Sequence, residues 1–246
     1  MLNTLTVERG PTPDHQSLDH RLRQARAVPA ASSERKGNLS GLSRASVRRF
    51  ESKEHIFCEG DPRTHVFQIE DGVVTIYQML NDGRRQIVDF AFPGDFIGLG
   101  TTSEHVFSSE ATSPTRVRCF GASALEENAR SDPSIALQLY KAVSLELSAA
   151  RALLVAIGQR SAIERVSTFL LMLHGRTAFA QDGVSVVHLP MRRADIGDFL
   201  GLTIETVSRT ITKLRHMRVI EVSHGTDVRI LNLDRLTGLS ERQPCH

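Results

Sequence analysis

The stretch that most restricts what this chain can fold into is RADIGDFLGLTIETVSRTITKL, from Arg193 to Leu214. Ile196, Phe199 and Leu200 share one face of a first helix, and Val207, Ile211 and Leu214 share one face of a second. Gly201 stands where a helix ends in a left-handed residue, and Thr203 stands where a helix is N-capped. Gly197 is small at the point where the second helix must cross the first. Turn, cap, small residue and apolar stripe together predict two helices joined at a steep angle by a short turn, the helix-turn-helix arrangement.

The polar edge of the second helix carries Ile204, Glu205, Ser208 and Arg209 in its first half. Arginine can donate two hydrogen bonds to guanine O6 and N7, glutamate can accept from cytosine N4, and hydroxyl or apolar groups suit A·T pairs. These four residues are therefore candidates for reading base edges. Glu205 and Arg209 could instead only pair along the helix, for about 0.2–0.5 kcal/mol, but such a pair would not account for the turn and cap around it. Arg192, Arg193, Thr203, Lys213 and Arg215, with Arg218 beyond them, are candidates for phosphate contact, which positions without specifying sequence. In VIEVSHGTDVRIL two β-prone runs flank a tight loop, so a hairpin is expected with His224 at its tip, also facing phosphate. From Arg160 onward there are twelve Arg and Lys against nine Asp and Glu, within a whole-chain net charge of only +2. That skew points weakly to a polyanionic partner.

Upstream the texture is different. Gly60, Gly72, Gly83 and Gly94 recur within turn-forming clusters at intervals of eleven or twelve residues, with HVFQIE, VVTIYQML and RQIVDFAF between them. Regular turns around short β-prone pieces predict a β barrel or sandwich over residues 45–130. After Asp132-Pro133 the period becomes helical. Ala136, Tyr140, Val143, Leu147, Ala150, Leu154 and Ile157 alternate spacings of four and three, a seam suited to a second helix. Leu145, Leu153 and Val155 widen the stripe, so one side of a helix over 131–160 is expected to meet the barrel and the seam to meet a second copy. Ser161 and Glu164 form a capping-box pattern that opens a new unit, 161–246. Residues 1–44 mix Pro, Ser, Arg and Ala without periodicity and read as a flexible segment or a partner-binding arm.

Cys58, Cys119 and Cys245 lie far apart and form no Cys-x-x-Cys pair, so zinc and thioredoxin-like chemistry have no support and a reducing cytoplasm is expected. No membrane-spanning run and no signal-peptide core are expected. No nucleophile–base pair, metal set or phosphate loop is recognisable, so the chain is not expected to be an enzyme.

The order β-roll, long helix, winged helix-turn-helix resembles the CRP/FNR transcription regulators. IGDFLGLTIETVSRTI is similar to the FixK-type branch, whose reading helix carries Glu-x-x-Ser-Arg, here Glu205, Ser208 and Arg209. The resemblance implies an α+β fold with a cyclic-nucleotide-binding-like jelly roll, a dimerisation helix and a C-terminal winged helix-turn-helix. It also implies a cytoplasmic homodimer on a palindrome of the TTGAT-N4-ATCAA kind, contact with RNA polymerase, and a role in microaerobic or nitrogen-fixation gene control. Tyr140, Val143, Leu147, Ala150, Leu154 and Ile157 would then form the dimer interface. The family's nucleotide pocket places a Glu after a turn like Pro93–Gly98, then an Arg for the phosphate. Here Leu99 follows, and Phe96–Thr115 holds no Arg or Lys. The four-cysteine cluster of the FNR branch has only Cys119 as a possible counterpart, and the haem-sensing branch is no better matched. No cofactor, metal or small-molecule effector is therefore expected. The alternative is a ligand- or redox-responsive regulator acting through the roll or a cysteine.

Overall fold

The computed structural model describes residues 45–181, 184–223 and 226–241. The expectations for the 1–44 segment, the His224 tip and Cys245 lie outside the described residues.

The first unit is a roll of two four-stranded antiparallel sheets. One has the order β1-β8-β3-β6, formed by β1 (Ser46–Phe50), β8 (Thr115–Gly121), β3 (His65–Asp71) and β6 (Phe96–Ile97). The other has the order β2-β7-β4-β5, formed by β2 (His55–Phe57), β7 (Ser108–Ala111), β4 (Val74–Met79) and β5 (Arg85–Ala91). The three β-prone pieces seen in the sequence became β3, β4 and β5. The four turn glycines that punctuate the sequence all take positive φ, between 81° and 97°, a region other residues enter only with strain. Phe50, Phe67, Ile69, Val74, Ile97 and Val117 fill the space between the sheets. Side chains that alternate with these point to the opposite faces, where Val66 and Phe120 on one sheet and Tyr77, Ile87 and Phe90 on the other are buried by the helices that follow.

Two helices follow the roll. The short α1 (Ala122–Ser131) tucks Leu125 against Val66 and Phe120. Then α2 (Pro133–Gln159) begins with Pro133 at its first turn and Asp132 as N-cap, whose side chain accepts from Ser134 N–H at 2.8 Å. Both features favour initiation here. At 1.5 Å per residue α2 is about 40 Å long. Only Ile135 and Ala156 are buried along it, while Tyr140, Val143, Leu147 and Leu154 stand 70, 48, 48 and 72% exposed.

Two expectations about α2 are corrected. Val155 was expected to face the roll but is exposed. The core under the end of α2 is reached instead by Leu153 and Ala156, three residues apart on the same helix face, whereas Val155 points away from it. Also, α2 is long and apolar enough to cross a membrane by length and composition, with a mean hydropathy of 1.3. A search for an unbroken apolar run misses it, since Lys141, Glu146 and Arg151 interrupt a segment otherwise rich in Ala, Leu and Val. Those charges would be costly in hydrocarbon, so the stripe calls for a protein cover.

The second unit opens with α3 (Ala162–Thr177), where the Glu164 carboxylate accepts from Ser161 N–H at 2.6 Å. A third antiparallel sheet, order β11-β12-β10-β9, is built from β11 (Ile220–Ser223), β12 (Asp227–Ile230), β10 (Val184–His188) and β9 (Phe179–Gln181). Between β10 and β11 lie α4 (Arg193–Leu200) and α5 (Ile204–His216), and α6 (Leu233–Ser240) closes the described chain against α3. The architecture is α+β: a roll, a long helix and a helix-turn-helix unit with a small sheet.

The two units share one core. Val73, Tyr77, Ile87, Phe90 and Phe92 of the roll join Phe169, Phe199 and their neighbours in a single apolar cluster. Phe90 lies 5.2 Å from Phe199 and 6.2 Å from Phe169, ring centre to ring centre, and those two are 5.8 Å apart. Tilted rings at these separations attract beyond simple burial.

Candidate nucleic-acid interface

The angle between α4 and α5 is set by backbone contacts that only small residues permit. Gly201 adopts φ 63°, ψ 43° and returns its N–H to the Gly197 carbonyl. Leu202 N–H reaches the same carbonyl at 3.0 Å. A Cβ on Gly197 would sit 2.6 Å from the Leu202 carbonyl oxygen, so this crossing excludes any side chain. Thr203 caps α5, its Oγ1 accepting from Thr206 N–H at 3.2 Å. Arg165 on α3 then fastens the turn, donating from Nη1 to the Leu200 and Gly201 carbonyls at 3.0 and 3.4 Å. No local pattern in the sequence signals Arg165, which is 36 residues from the turn it holds.

Val207, Thr210, Ile211 and Leu214 bury one side of α5. The opposite side is open. Thr203, Ile204, Glu205, Ser208, Arg209, Lys213 and Arg215 are all exposed. The structure therefore brings the four candidate base-reading residues onto one accessible edge. Glu205 and Arg209 are not ion-paired with each other. The Arg209 guanidinium turns toward Thr206 Oγ1 at 3.5 Å. The Glu205 carboxylate is held below its ordinary range by a backbone N–H, then by the Thr203 hydroxyl, with the Arg209 charge a lesser cause. It is ionised, and a carboxylate can only accept hydrogen bonds.

The remaining candidates surround this edge unevenly. Arg192 is exposed at the start of α4, with Nε 3.4 Å from Asp195 Oδ2. Arg193 is half-buried, its Nη1 enclosed without a hydrogen-bond partner, and burial lowers its pKa. It lines a cleft of about 210 Å³ with Ser208, Ile211, Thr212, Arg215 and Val222, where α5 meets the hairpin. The hairpin is formed by β11 and β12, with Ile220 opposite Ile230 and Ser223 opposite Asp227. Arg218 is exposed after α5 at φ 55°.

The roll presents a different chemistry. The titratable base within Phe96–Thr115 is His105, stacked on Phe57 at 3.7 Å and 10°. Burial, reinforced by Arg63, holds His105 below its usual pKa, which favours the uncharged ring. Arg63 reaches the same loop but is committed to the Thr102 carbonyl at 2.8 Å and to Glu126 at 3.4 Å. Cys119 is buried in the roll core, which raises its thiol pKa, and Cys58 is exposed. Among the described residues no group of three or more His, Cys, Asp or Glu is placed to hold a metal ion.

Two family models match separate parts of the chain. Residues 164–239 match the model of the Crp-like helix-turn-helix domain, and residues 47–132 match that of the cyclic nucleotide-binding domain. The chain is 40% identical over 195 residues to the nitrogen fixation regulation protein FixK of Bradyrhizobium diazoefficiens, covering 76% of this chain and 82% of that one. It is 38% identical over 193 residues to the transcriptional activatory protein AadR of Rhodopseudomonas palustris, covering 78% and 80%. The structure of FixK2 from Bradyrhizobium japonicum superposes with a TM-score of 0.76 at 37% identity, over 81% of this chain and 99% of that one. With an exposed polar helix edge, a roll and a long helix in this order, and relatives of this kind over most of its length, the chain belongs to the CRP/FNR family of transcription regulators, among those related to FixK.

Proposed function

We propose that this chain acts as a homodimer that reads a palindromic DNA site of the TTGAT-N4-ATCAA kind and activates transcription from it through contact with RNA polymerase. Ile204, Glu205, Ser208 and Arg209 read base edges. Arg192, Arg193, Thr203, Lys213 and Arg215 engage phosphates, and His224, outside the described residues, is assigned the same role. The observation that carries the reading is the α5 edge: an acceptor, a hydroxyl and a guanidinium exposed together on a helix whose other side is fully buried. A recognition helix places such a first half in the major groove. Relatives named as regulators of nitrogen fixation support a role in that gene programme.

The exposed seam of α2 supports dimerisation. Tyr140, Val143, Leu147, Ala150 and Leu154 are open along one stripe, with half-buried Ile157 at its end, a surface that a second copy of the same helix covers by knobs-into-holes packing. Two reading heads related by a two-fold axis then engage two half-sites about one DNA turn apart.

In this reading the roll works without a cyclic nucleotide. A buried phosphate needs a compensating cation, and His105 and Arg63 are both committed elsewhere. The reading also excludes an iron–sulfur cluster and a thiol switch at Cys119, whose raised pKa disfavours the reactive thiolate. Selection of bound sequences from a random duplex pool at fixed salt, with and without reductant and with and without cyclic nucleotide, tests all of this. The expected result is one palindrome, unchanged by any addition. Enrichment that requires a nucleotide, or disappears with reductant, would move the function to the ligand- or redox-responsive alternative.

A further inference from the structure

We propose that Arg85 on β5 of the roll is a positioning residue for the reading head. It holds Asp195 in the first turn of α4 and so fixes the angle of α5 and keeps Arg192 available for phosphate. The inference rests on the DNA-reading function proposed above and names the device that sets its geometry.

The Arg85 guanidinium is anchored from the roll side by two neighbours. It lies over the Tyr77 ring at 5.3 Å, and its Nη1 is 3.8 Å from Glu110. Glu110 is in turn 3.9 Å from His55, whose Nε2 is 2.8 Å from the Tyr77 hydroxyl. From this seat Arg85 Nη2 donates to Asp195 Oδ1, and Nε lies 3.8 Å from Asp198 Oδ2. The adjacent Gln86 Nε2 donates to the Asp198 carbonyl at 2.6 Å. Two consecutive β5 residues therefore grip α4, while Phe90 further along packs on Phe199.

Asp195 is the joint. Its side chain is 6% exposed. Oδ1 faces Arg85, and Oδ2 accepts from Arg192 N–H at 2.9 Å with Arg192 Nε at 3.4 Å. The carboxylate thus caps α4 while sharing its charge between a guanidinium fixed in the roll and one that is 66% exposed beside the reading edge. Without Arg85 an enclosed carboxylate is left without its fixed counterion, a costly state. It then draws Arg192 in as its remaining partner and also loosens its hold on α4. The first effect removes one cation from the DNA-facing surface. The second lets the head tilt on the roll. The grip falls on α4 and the reading edge on α5, so the contact uses none of the exposed α5 residues.

The test uses the full-length chain, with Arg85→Ala, Arg85→Lys, Asp195→Asn and the Arg85→Ala/Asp195→Asn double variant. Each is titrated with operator and random duplex across a salt series. Asparagine keeps an acceptor for the Arg192 N–H, so the cap survives. Arg85→Ala is expected to weaken operator binding on the order of tenfold and to lower the magnitude of the log–log salt slope by about one, since each phosphate contact contributes about 0.9. Arg85→Lys should restore the slope, and the double variant should bind no worse than Arg85→Ala. Amide exchange in α4, measured without DNA, should quicken in Arg85→Ala. Unchanged exchange would overturn the proposal whatever the DNA result. So would a loss of affinity with an unchanged slope and no rescue by lysine, which would mark a merely structural role. A wild-type chain that cannot tell operator from random duplex would instead sink the underlying DNA-reading function, a distinct outcome from wild-type binding that Arg85→Ala shares in full.

Discussion

Replacing Gly197 by alanine adds one methyl group at the tightest point of the reading head. The new Cβ would lie 2.6 Å from the Leu202 carbonyl oxygen and 3.6 Å from the Ile204 nitrogen. Ordinary non-bonded contact lies near 3.5 Å, so the α4–α5 turn must open by roughly 0.5–1 Å. It cannot open freely, because the Leu202 and Gly201 N–H groups both bond to the Gly197 carbonyl and Arg165 pins the turn from α3. Overpacking of this kind costs about 1–3 kcal/mol, offset by up to about 1 kcal/mol from the better helix propensity of alanine. A net destabilisation of about 1–2 kcal/mol is expected, which lowers Tm by roughly 2–4 °C per kcal/mol in a chain of this size. Gly238 on α6 is the control. It has nothing within 4 Å of a built Cβ, so Gly238→Ala should stabilise the same unit by about 0.4–1 kcal/mol. Urea unfolding of the two variants beside the parent chain measures both. Equal stabilisation by the two substitutions would refute the backbone clash and with it the stated crossing of α4 and α5.

Arg209→Ala should cost about 1–3 kcal/mol on the selected site and relax preference at one base pair, whereas Lys213→Ala should weaken all sequences alike and flatten the salt dependence. Base-by-base competition titrations distinguish the two. Leu147→Glu places a charge mid-seam on α2, where Leu147 is 48% exposed in the single chain. It should yield monomers by sedimentation at concentrations where the parent is dimeric, with operator affinity lost in step. Asp89 is pushed by burial to a pKa of about 7, above its ordinary range, although Arg176 works against the shift. The folded chain therefore keeps a proton that the unfolded chain releases, and stability should fall as pH rises from about 4 to about 7. Asp89→Asn should remove that slope and raise stability at pH 8 by about 2 kcal/mol, a figure discounted for the partial exposure of the residue. A parent chain that gains stability across this window would contradict the assignment.

The reading head was legible in the sequence because its determinants are local. Gly197, Gly201, Thr203 and the 3.6-residue stripe fall within one short stretch, and each has its own steric or hydrogen-bonding cause. The roll was legible as a class only. Its turn glycines mark where strands end, but the order β1-β8-β3-β6 pairs segments tens of residues apart, and no periodicity encodes such partners. The eight- and ten-residue helices α6 and α1 are too short for a periodic signal to stand out. Arg165 and Arg85 were invisible for the same reason as the strand order. Arg85 meets Asp195 across 110 residues, and in the sequence it is one arginine among many. The seam of α2 is apolar as its periodicity indicates, but which neighbouring positions reach the core, Leu153 and Ala156 rather than Val155, depends on tertiary packing that periodicity does not encode.

The grip of Arg165 on the Leu200 and Gly201 carbonyls has a thermodynamic consequence. A helix pair already fastened in the free molecule has little left to order when it docks, so association carries little of the entropy loss and heat-capacity signature of coupled folding. Differences between good and poor sites should then reside in how long the complex lasts rather than in how fast it forms.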